Sequence, residues 1–398
     1  MYVNDNGFEP TQSFAYELKG NSAVILRCFS RDTKAEIPEM LEGHPVTEVG
    51  AYAFSAHMDE TNFENGIRSR KIKIYIPDMM GTLPLDSARD SRVGQPGAGE
   101  SGSVAGVTAD KGIVIPDAPA LAGNALEEVV IPDTVRRIGR YCFYNCASLE
   151  KITFGSALQD WGAGAFTGVH HVNAITVTTD SEGKTSLKQV LDELHEEIAV
   201  TYFDELGRES HLVFPEYFEE GVENTPARIL EEKIHGSGMM YRNCIKERRL
   251  DFRQYDSRFD HAGFLESRNM TMRLAVGRLQ YPTELSEKAQ QQYETYVIEH
   301  ARDGADLFLK ERNLEGIRWL LELFDRISGK NHDEKGSLEN EPESFGSGST
   351  ADEMKRKREE LQAYMMEEAA RMQFTEATGF LMNYGWSAKR PARKRYEL

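Results

Sequence analysis

The chain has 398 residues, 47 basic and 65 acidic, with a net charge of −18 and a pI near 5.1. That balance argues against a chain that coats nucleic acid or anionic membrane along its whole length. Four scattered cysteines are too few for a disulfide framework, and no apolar run is long enough to span a bilayer. Residues 1–20 lack the basic start and apolar core of a secretory signal, so a cytoplasmic, reducing setting is expected. The length predicts two or more domains.

Residues 12–29 read as a hairpin that turns at Gly20-Asn21. Residues 35–54 then read as one coil of a repeat, with Ile37-Pro38 at its strand and Val46, Val49-Gly50 and Ala53-Phe54 on its return. A wider loop is expected at Glu42-Gly43-His44. Two strand fragments, IYIPD at 74–78 and IVIPD at 113–117, match VVIPD at 129–133. Residues 81–111, rich in Gly, Ser, Ala and Asp, predict a floppy insertion within the repeat domain.

The repeat is clearest over 126–178, which aligns on itself without a gap in rows of 23 residues. Leu126, Leu149 and Val172 share a column, as do Val129, Ile152 and Ile175, and Ile131, Phe154 and Val177. Ile138 faces Trp161, Gly139 faces Gly162, and Phe143 faces Phe166, with Phe54 joining that spine. A period of about 20–29 residues with one strand per row is the mark of a leucine-rich-repeat solenoid. No single coil buries its own apolar face, so each stacks on the next. Gly50, Gly139 and Gly162 are expected to supply unusual backbone angles at the return.

Ile131-Pro132, Val135, Ile138-Gly139, Cys142-Phe143, Cys146 and Leu149 resemble the BspA-type leucine-rich repeat. The resemblance is specific over 35–56 and 126–178. It implies a solenoid that presents surfaces to other proteins. Some members of that family are secreted or surface-bound adhesins, and the missing signal sets this chain apart from them.

Residues 185–222 read as a capping helix, 185–197, followed by a hairpin that turns near Glu205-Leu206-Gly207. They are placed to close the open end of the solenoid, where strand groups would otherwise be unpaired. From 223 to 328 the reading is helical: 224–235, 239–249, 252–262, 266–279, 284–301, 303–312 and 314–328, with a break at Pro282. Residues 303–324 look like a helix pair of ankyrin-like proportions, echoed 60 residues on at 365–384. Residues 329–350 read as a disordered linker, and 351–398 as the second helix pair with a basic tail. Leucine-rich domains followed by such helices resemble uncharacterised bacterial proteins, a likeness that carries no function. The fold class is thus α+β in two parts: an N-terminal leucine-rich-repeat domain (1–184), β-solenoid-like, and a C-terminal all-α helical-repeat domain.

Four features bear on chemistry. His235 and Cys244, with Gly236 and Gly238 between, have the residue types of a base, a nucleophile and an anion nest. An inter-helix turn with a buried Cys is the favoured account, and Glu216, Glu219 or Asp251 would be needed to orient the imidazole. Cys142 and Cys146 lack two further zinc ligands nearby and fall in core columns, while His170-His171 sits at a coil boundary on the surface. Glu216, Glu219, Glu220 and Glu223 read as the solvated start of a helix, the alternative being a cation or a basic partner. Arg242, Lys246, Arg248, Arg249, Arg253 and Arg258 alternate with Tyr241, Phe252, Tyr255 and Phe259, a nucleic-acid cue that Glu247, Asp251 and Asp256 dilute. The tail adds Lys389, Arg390, Arg393, Lys394 and Arg395.

No catalytic residue, metal site or cofactor is assigned from this reading, and no membrane association. The expected function is non-enzymatic recognition of a protein partner through the solenoid and helical surfaces. The alternatives are nucleic-acid association through 242–258 and the basic tail and, less favoured, an enzyme built on His235 and Cys244.

Overall fold

The computed structural model describes residues 12–77, 108–109, 113–114, 116–224, 229–335 and 350–384. The chain divides into two compact units, Met1–Arg258 and Phe259–Leu398.

The first unit opens with the expected hairpin, β1 (Ser13–Lys19) and β2 (Ser22–Phe29), around Gly20 at φ 62°. β3 (Lys34–Glu36), β4 (Met40–Leu41) and β5 (His44–Val49) make the first coil. The wider loop expected there is a tight turn, with Leu41 paired to His44 across Glu42 and Gly43, both at positive φ. α1 (Glu60–Arg68), absent from the sequence reading, is capped by Asp59, whose carboxylate accepts from the Asn62 amide. Next come β6 (Lys73–Tyr75), β7 (Thr108–Ala109) and β8 (Ile113–Val114). The repeat proper supplies β9 (Glu128–Ile131), β10 (Arg137–Ile138), β11 (Lys151–Phe154), β12 (Asp160–Trp161) and β13 (Ala174–Thr178). α2 (Leu187–Glu193), β14 (Ile198–Phe203) and β15 (Glu209–Phe214) follow.

Two ladders run through this unit. In the first, β3, β9, β11, β13 and β14 are parallel neighbours, closed by antiparallel β15. In the second, β5, β10 and β12 are parallel, and β2, β1 and β6 extend the sheet beyond β5. The pairing follows the sequence columns: Ala35, Val129, Ile152, Ile175 and Val200 are successive partners, as are Val49, Ile138 and Trp161. The rings of Phe54, Phe143 and Phe166 stack at 5.5 and 5.6 Å, and all three are buried. β3 pairs directly with β9 although 91 residues, 37–127, lie between the two strands in the chain.

The two isolated fragments are not coils. Ile74 pairs with Ala15 in an antiparallel edge strand, and among the described residues Ile113–Val114 pairs only with Thr108–Ala109. A coil needs a strand and a return segment, and a five-residue match supplies only the first. Of the expected insertion at 81–111, only residues 108 and 109 are described, and the rest lies outside the described residues.

The repeat glycines act differently from expectation. The left-handed positions at the return are Tyr52, Tyr141 and Gly164, with φ of 58°, 53° and 63°. Gly139 and Gly162 are instead required by close approach: a Cβ there would lie 2.3 Å from the Ala51 amide nitrogen and 2.4 Å from that of Arg140. A non-glycine residue in the left-handed region costs about 1–2 kcal/mol, so Tyr52 and Tyr141 hold local strain.

Residues expected to be helical at 224–235 and 239–249 are mostly extended. β16 (Phe218–Asn224) and β17 (Ile229–His235) form a two-stranded ribbon, followed by α3 (Gly238–Arg242), β18 (Ile245–Lys246), β19 (Arg249–Leu250) and α4 (Phe252–Asp256). Glutamate-rich ILEEKIH has the local preference of a helix, and cross-strand pairing overrides that weak bias.

The second unit is helical: α5 (Phe259–Leu265), α6 (Arg268–Gln280), α7 (Glu287–Glu299), α8 (Ala301–Lys310), α9 (Leu314–Lys335), α10 (Thr350–Arg371) and α11 (Thr375–Asn383). α9 continues to Lys335, into the stretch expected to be linker, and residues 336–349 lie outside the described residues. The two helix pairs share one turn geometry. Arg312 and Gln373 have φ of 52° and 54°, and the next amide in each returns 2.8 Å to Phe308 or Ala369. The Arg312 guanidinium sits 5.6 Å over Phe374. The ankyrin-like reading finds no support: the pairs are uneven and differ in order, α8 of 10 residues before α9 of 22, then α10 of 22 before α11 of 9.

Phe143→Ala should cost about 3–5 kcal/mol of stability, the usual loss for a buried aromatic. Denaturant unfolding of the full chain measures it. A loss under roughly 1 kcal/mol would show that the ring spine contributes little to holding neighbouring coils together.

Candidate interaction surface

In the basic and aromatic stretch after β17 the aromatic residues are interior, whereas of the basic ones Arg242 is buried and Lys246, Arg249 and Arg253 are exposed. Arg242, at the end of α3, is 1% exposed. Its Nε donates to the Leu191 carbonyl at 2.9 Å, Nη1 to Pro215 at 2.5 Å, and Nη2 to Leu194 and Glu196 at 2.9 and 2.8 Å. Leu191 and Leu194 belong to the last turn of α2, whose carbonyls have no partner within the helix. One guanidinium therefore caps α2 and ties it to the segment after β15. The Tyr217 ring lies 4.9 Å beneath it. Burial pulls the Arg242 pKa down to about 10, which still leaves it a cation at neutral pH.

Tyr255 serves β15 in a similar way. Its hydroxyl donates to the Val213 carbonyl at 2.7 Å and accepts from the Val213 amide at 2.9 Å. Both groups sit on the last strand of the ladder, which would otherwise be open. Tyr241, Phe252 and Phe259 are buried too. Arg248 donates toward the carbonyls of Thr185 and Leu158. The stretch flagged by sequence as a nucleic-acid cue thus includes the lid of the first ladder, and Arg242, Tyr241, Phe252 and Tyr255 are not available to phosphates or bases. The basic tail, Lys389 to Arg395, lies outside the described residues.

His235 and Cys244 are not paired. The His235 Nε2 lies 2.9 Å from Glu220, and its ring stacks on Phe218 at 4.4 Å. The Cys244 thiol is buried, donates to the Met240 carbonyl at 3.3 Å, and is pushed up to about 11, chiefly by burial. A nucleophilic thiol needs the opposite shift. The presumed anion nest is filled by the chain itself: a Cβ on Gly236 would meet the Glu216 carbonyl oxygen at 2.5 Å, and one on Gly238 the Pro215 oxygen at 2.1 Å. Glu219, Glu220 and Glu223 lie on β16, not at the start of a helix, and Glu216 precedes that strand.

Cys142 and Cys146 are core residues, Cys146 donating to the Phe54 carbonyl at 3.2 Å. His170 and His171 are exposed, next to Glu196 and the Ala147 carbonyl. Among the described residues no group of three His, Cys, Asp or Glu is arranged to hold a metal ion. Among them too, no helix is long and apolar enough to cross a membrane.

What remains open on the first ladder is its outer face. Alternate residues of each strand are buried, and the others are partly or fully exposed. Toward β3 that face is charged, with Lys34 3.2 Å from Glu128 and Lys151 in the same row. Toward β14 it is neutral: Ala174, Thr176 and Thr178 on β13 lie beside Ala199, Thr201 and Phe203 on β14. Sequence reasoning passed over this patch, although the alternation in AITVT and IAVTYF marks it.

The second unit has a cleft of about 550 Å³ between α6, α8 and α10, over Phe324. Arg268, Arg302 and Lys357 line it together with Glu299, Asp303, Asp306 and Glu360. Cations and carboxylates are mixed along its wall, so it presents no strong field of one sign, and Asp306 is already taken by the Tyr364 hydroxyl at 2.6 Å.

Residues 117–189 match the family model of the BspA type leucine-rich repeat region, described as six copies. No curated protein matches. A solved structure, the crystal structure of a leucine rich cell surface protein from Faecalibacterium prausnitzii A2-165, is similar at 18% identity. The match covers 43% of this chain and 32% of that one, with a TM-score of 0.21.

Arg242→Gln should lose at least about 3 kcal/mol, because several buried carbonyls are left without a donor; denaturant unfolding reads the loss. All four thiols should resist an exposed-thiol reagent at neutral pH until the protein unfolds, since all four are buried. Rapid labelling of Cys244 in the folded protein would restore the nucleophile reading.

Proposed function

We propose that the first unit is a protein-recognition module and that its partner docks on the neutral outer face of β13 and β14. The patch itself carries this reading. In a chain with 28% charged residues, six neighbouring positions on two rigid paired strands bear only Ala, Thr and Phe. Depletion of charge is the compositional signature of an interface core. The charged rows toward β3 would then form a polar rim. The match to the BspA type repeat supports the same class, because such repeats typically mediate protein–protein or surface interactions. Four free, buried cysteines fit a reducing, cytoplasmic setting for the encounter. We place the helical unit as a second recognition surface, with its own partner contacts.

The test is capture of partners from the source cell by wild-type protein and by Thr176→Arg. Thr176 is half-buried on the outer face, so arginine there should project without unfolding the strand. A specific partner held by wild type should be lost, by about tenfold or more in affinity, roughly 1.4 kcal/mol. Undiminished capture by a folded Thr176→Arg protein would rule out this face. A partner that proves to be nucleic acid, released steeply by salt, would favour the alternative reading through the basic tail.

A further inference from the structure

The ribbon of β16 and β17 lies apart from the neutral face of the ladder. Among the described residues its two strands, of 7 residues each, form a sheet of their own, and neither outer edge is paired. A lone two-stranded ribbon is marginally stable in water, and a third strand would complete it. Its base is anchored. The Tyr217 amide donates to the His195 carbonyl at 3.1 Å, and Arg242 holds the Pro215 carbonyl. Gly236, just after β17, packs so closely that a Cβ there would meet the Glu216 carbonyl oxygen at 2.5 Å. From that base the ribbon offers open backbone donors and acceptors along its edges.

The two edges differ. β17 carries Lys233, which is exposed, and an edge lysine blunts the addition of further strands. β16, FEEGVEN, holds three glutamates and no cation. In its middle stands Gly221. Glycine weakens a strand interior, and nothing in the fold calls for it here: its φ is not left-handed, and a Cβ on it would meet no atom within 4 Å. A strand glycine without a local need is a mark of close approach by another chain or ligand. Strand alternation puts Glu219, Gly221 and Glu223 on one face of β16. A lysine opposite Gly221 on an added strand would find open space over the glycine. It would have a glutamate two positions away on each side, a diagonal that a long side chain spans. A second copy of β16 would instead bring glutamate against glutamate, which like charge opposes.

We propose that the outer edge of β16 takes an extended, lysine-bearing segment of a partner protein as a third strand. The open edge supplies main-chain hydrogen bonds, and the glutamates select the charge. This rests on the reading of the first unit as a protein-recognition module and adds a second surface to it. The probe is a fluorescein-labelled decapeptide of alternating lysine and threonine, titrated with the full chain and read by anisotropy. One control is the alternating glutamate–threonine peptide. The other is the lysine–threonine peptide N-methylated at every residue, which keeps the charge and loses the backbone donors. The parent peptide should bind, and both controls should bind at least about tenfold more weakly. Gly221→Val places a good strand former in the ribbon. It should leave the thermal midpoint unlowered and weaken binding about tenfold by filling the space over the glycine. Glu219→Lys with Glu223→Lys should turn the preference toward the glutamate–threonine peptide. No binding of the parent peptide up to about 1 mM, equal binding of its N-methylated form, or undiminished binding by Gly221→Val would overturn the proposal. Loss of the peptide result alongside partner capture that is still sensitive to Thr176→Arg removes the ribbon edge alone. Loss of both removes the recognition reading itself.

Discussion

The first unit depends on how closely one coil lies on the next. At the return, the Cα of Gly139 rests against the peptide joining Gly50 and Ala51, and that of Gly162 against the peptide after Gly139. At such separations no side chain fits between. This contact sets the spacing at which Val49, Ile138 and Trp161 pair and at which the three phenylalanine rings stack. The hydrophobic stabilisation of the core is gained only in that register, because a shifted coil would place a Cβ where a glycine is needed.

A stack of parallel coils has two ends, and each is covered by a different device. At one end β2 and β1 extend the second ladder beyond β5, with β6 at the outer edge. At the other, β15 turns antiparallel, and two polar side chains hold the covering segment against it. Arg242 supplies donors to the carbonyls at the end of α2 and after β15, and Tyr255 satisfies both backbone groups of Val213. A buried guanidinium is costly to desolvate, and four carbonyl acceptors and a tyrosine ring offset that cost here. Arg242 would read as one more residue of a basic surface if its side chain pointed to water, as those of Lys246, Arg249 and Arg253 do.

The helical unit shows a different economy of contacts. Its two hairpins lie against one another through arginines over aromatic rings, Arg302 over Tyr364, Arg312 over Phe374 and Arg318 over Phe380, and within the second hairpin Arg358 sits over Tyr384. Phe380 and Tyr384 are only partly buried, so these pairs seal the margin of a core made by Leu320, Leu321, Phe324 and Leu381. Ring contact with arginine accounts for aromatics that apolar periodicity alone would have sent to the centre.

Much of the first unit was legible in the sequence because its rule is local and repeated. A 23-residue offset predicted which residues touch, and the pairing of Val129, Ile152 and Ile175 follows it. The same offset exposes the column of Tyr52, Tyr141 and Gly164, although only the backbone angles reveal that the first two are strained. The fragments at 74–78 and 113–117 do hold strands, β6 and β8, but among the described residues neither joins a parallel ladder, because a strand motif without its return has no coil to stack on. Residues 224–235 misled for the converse reason, since their extended form comes from β16 and not from their own composition. Apolar periodicity alone determined that there is a repeat, where its core columns run and that helices follow it. Whether Arg242 faces water or four carbonyls, whether Cys244 meets His235, and which face of the ladder stays uncharged and open were decided by tertiary structure alone. Those outcomes turn on contacts between segments tens of residues apart, and sequence periodicity holds no record of them.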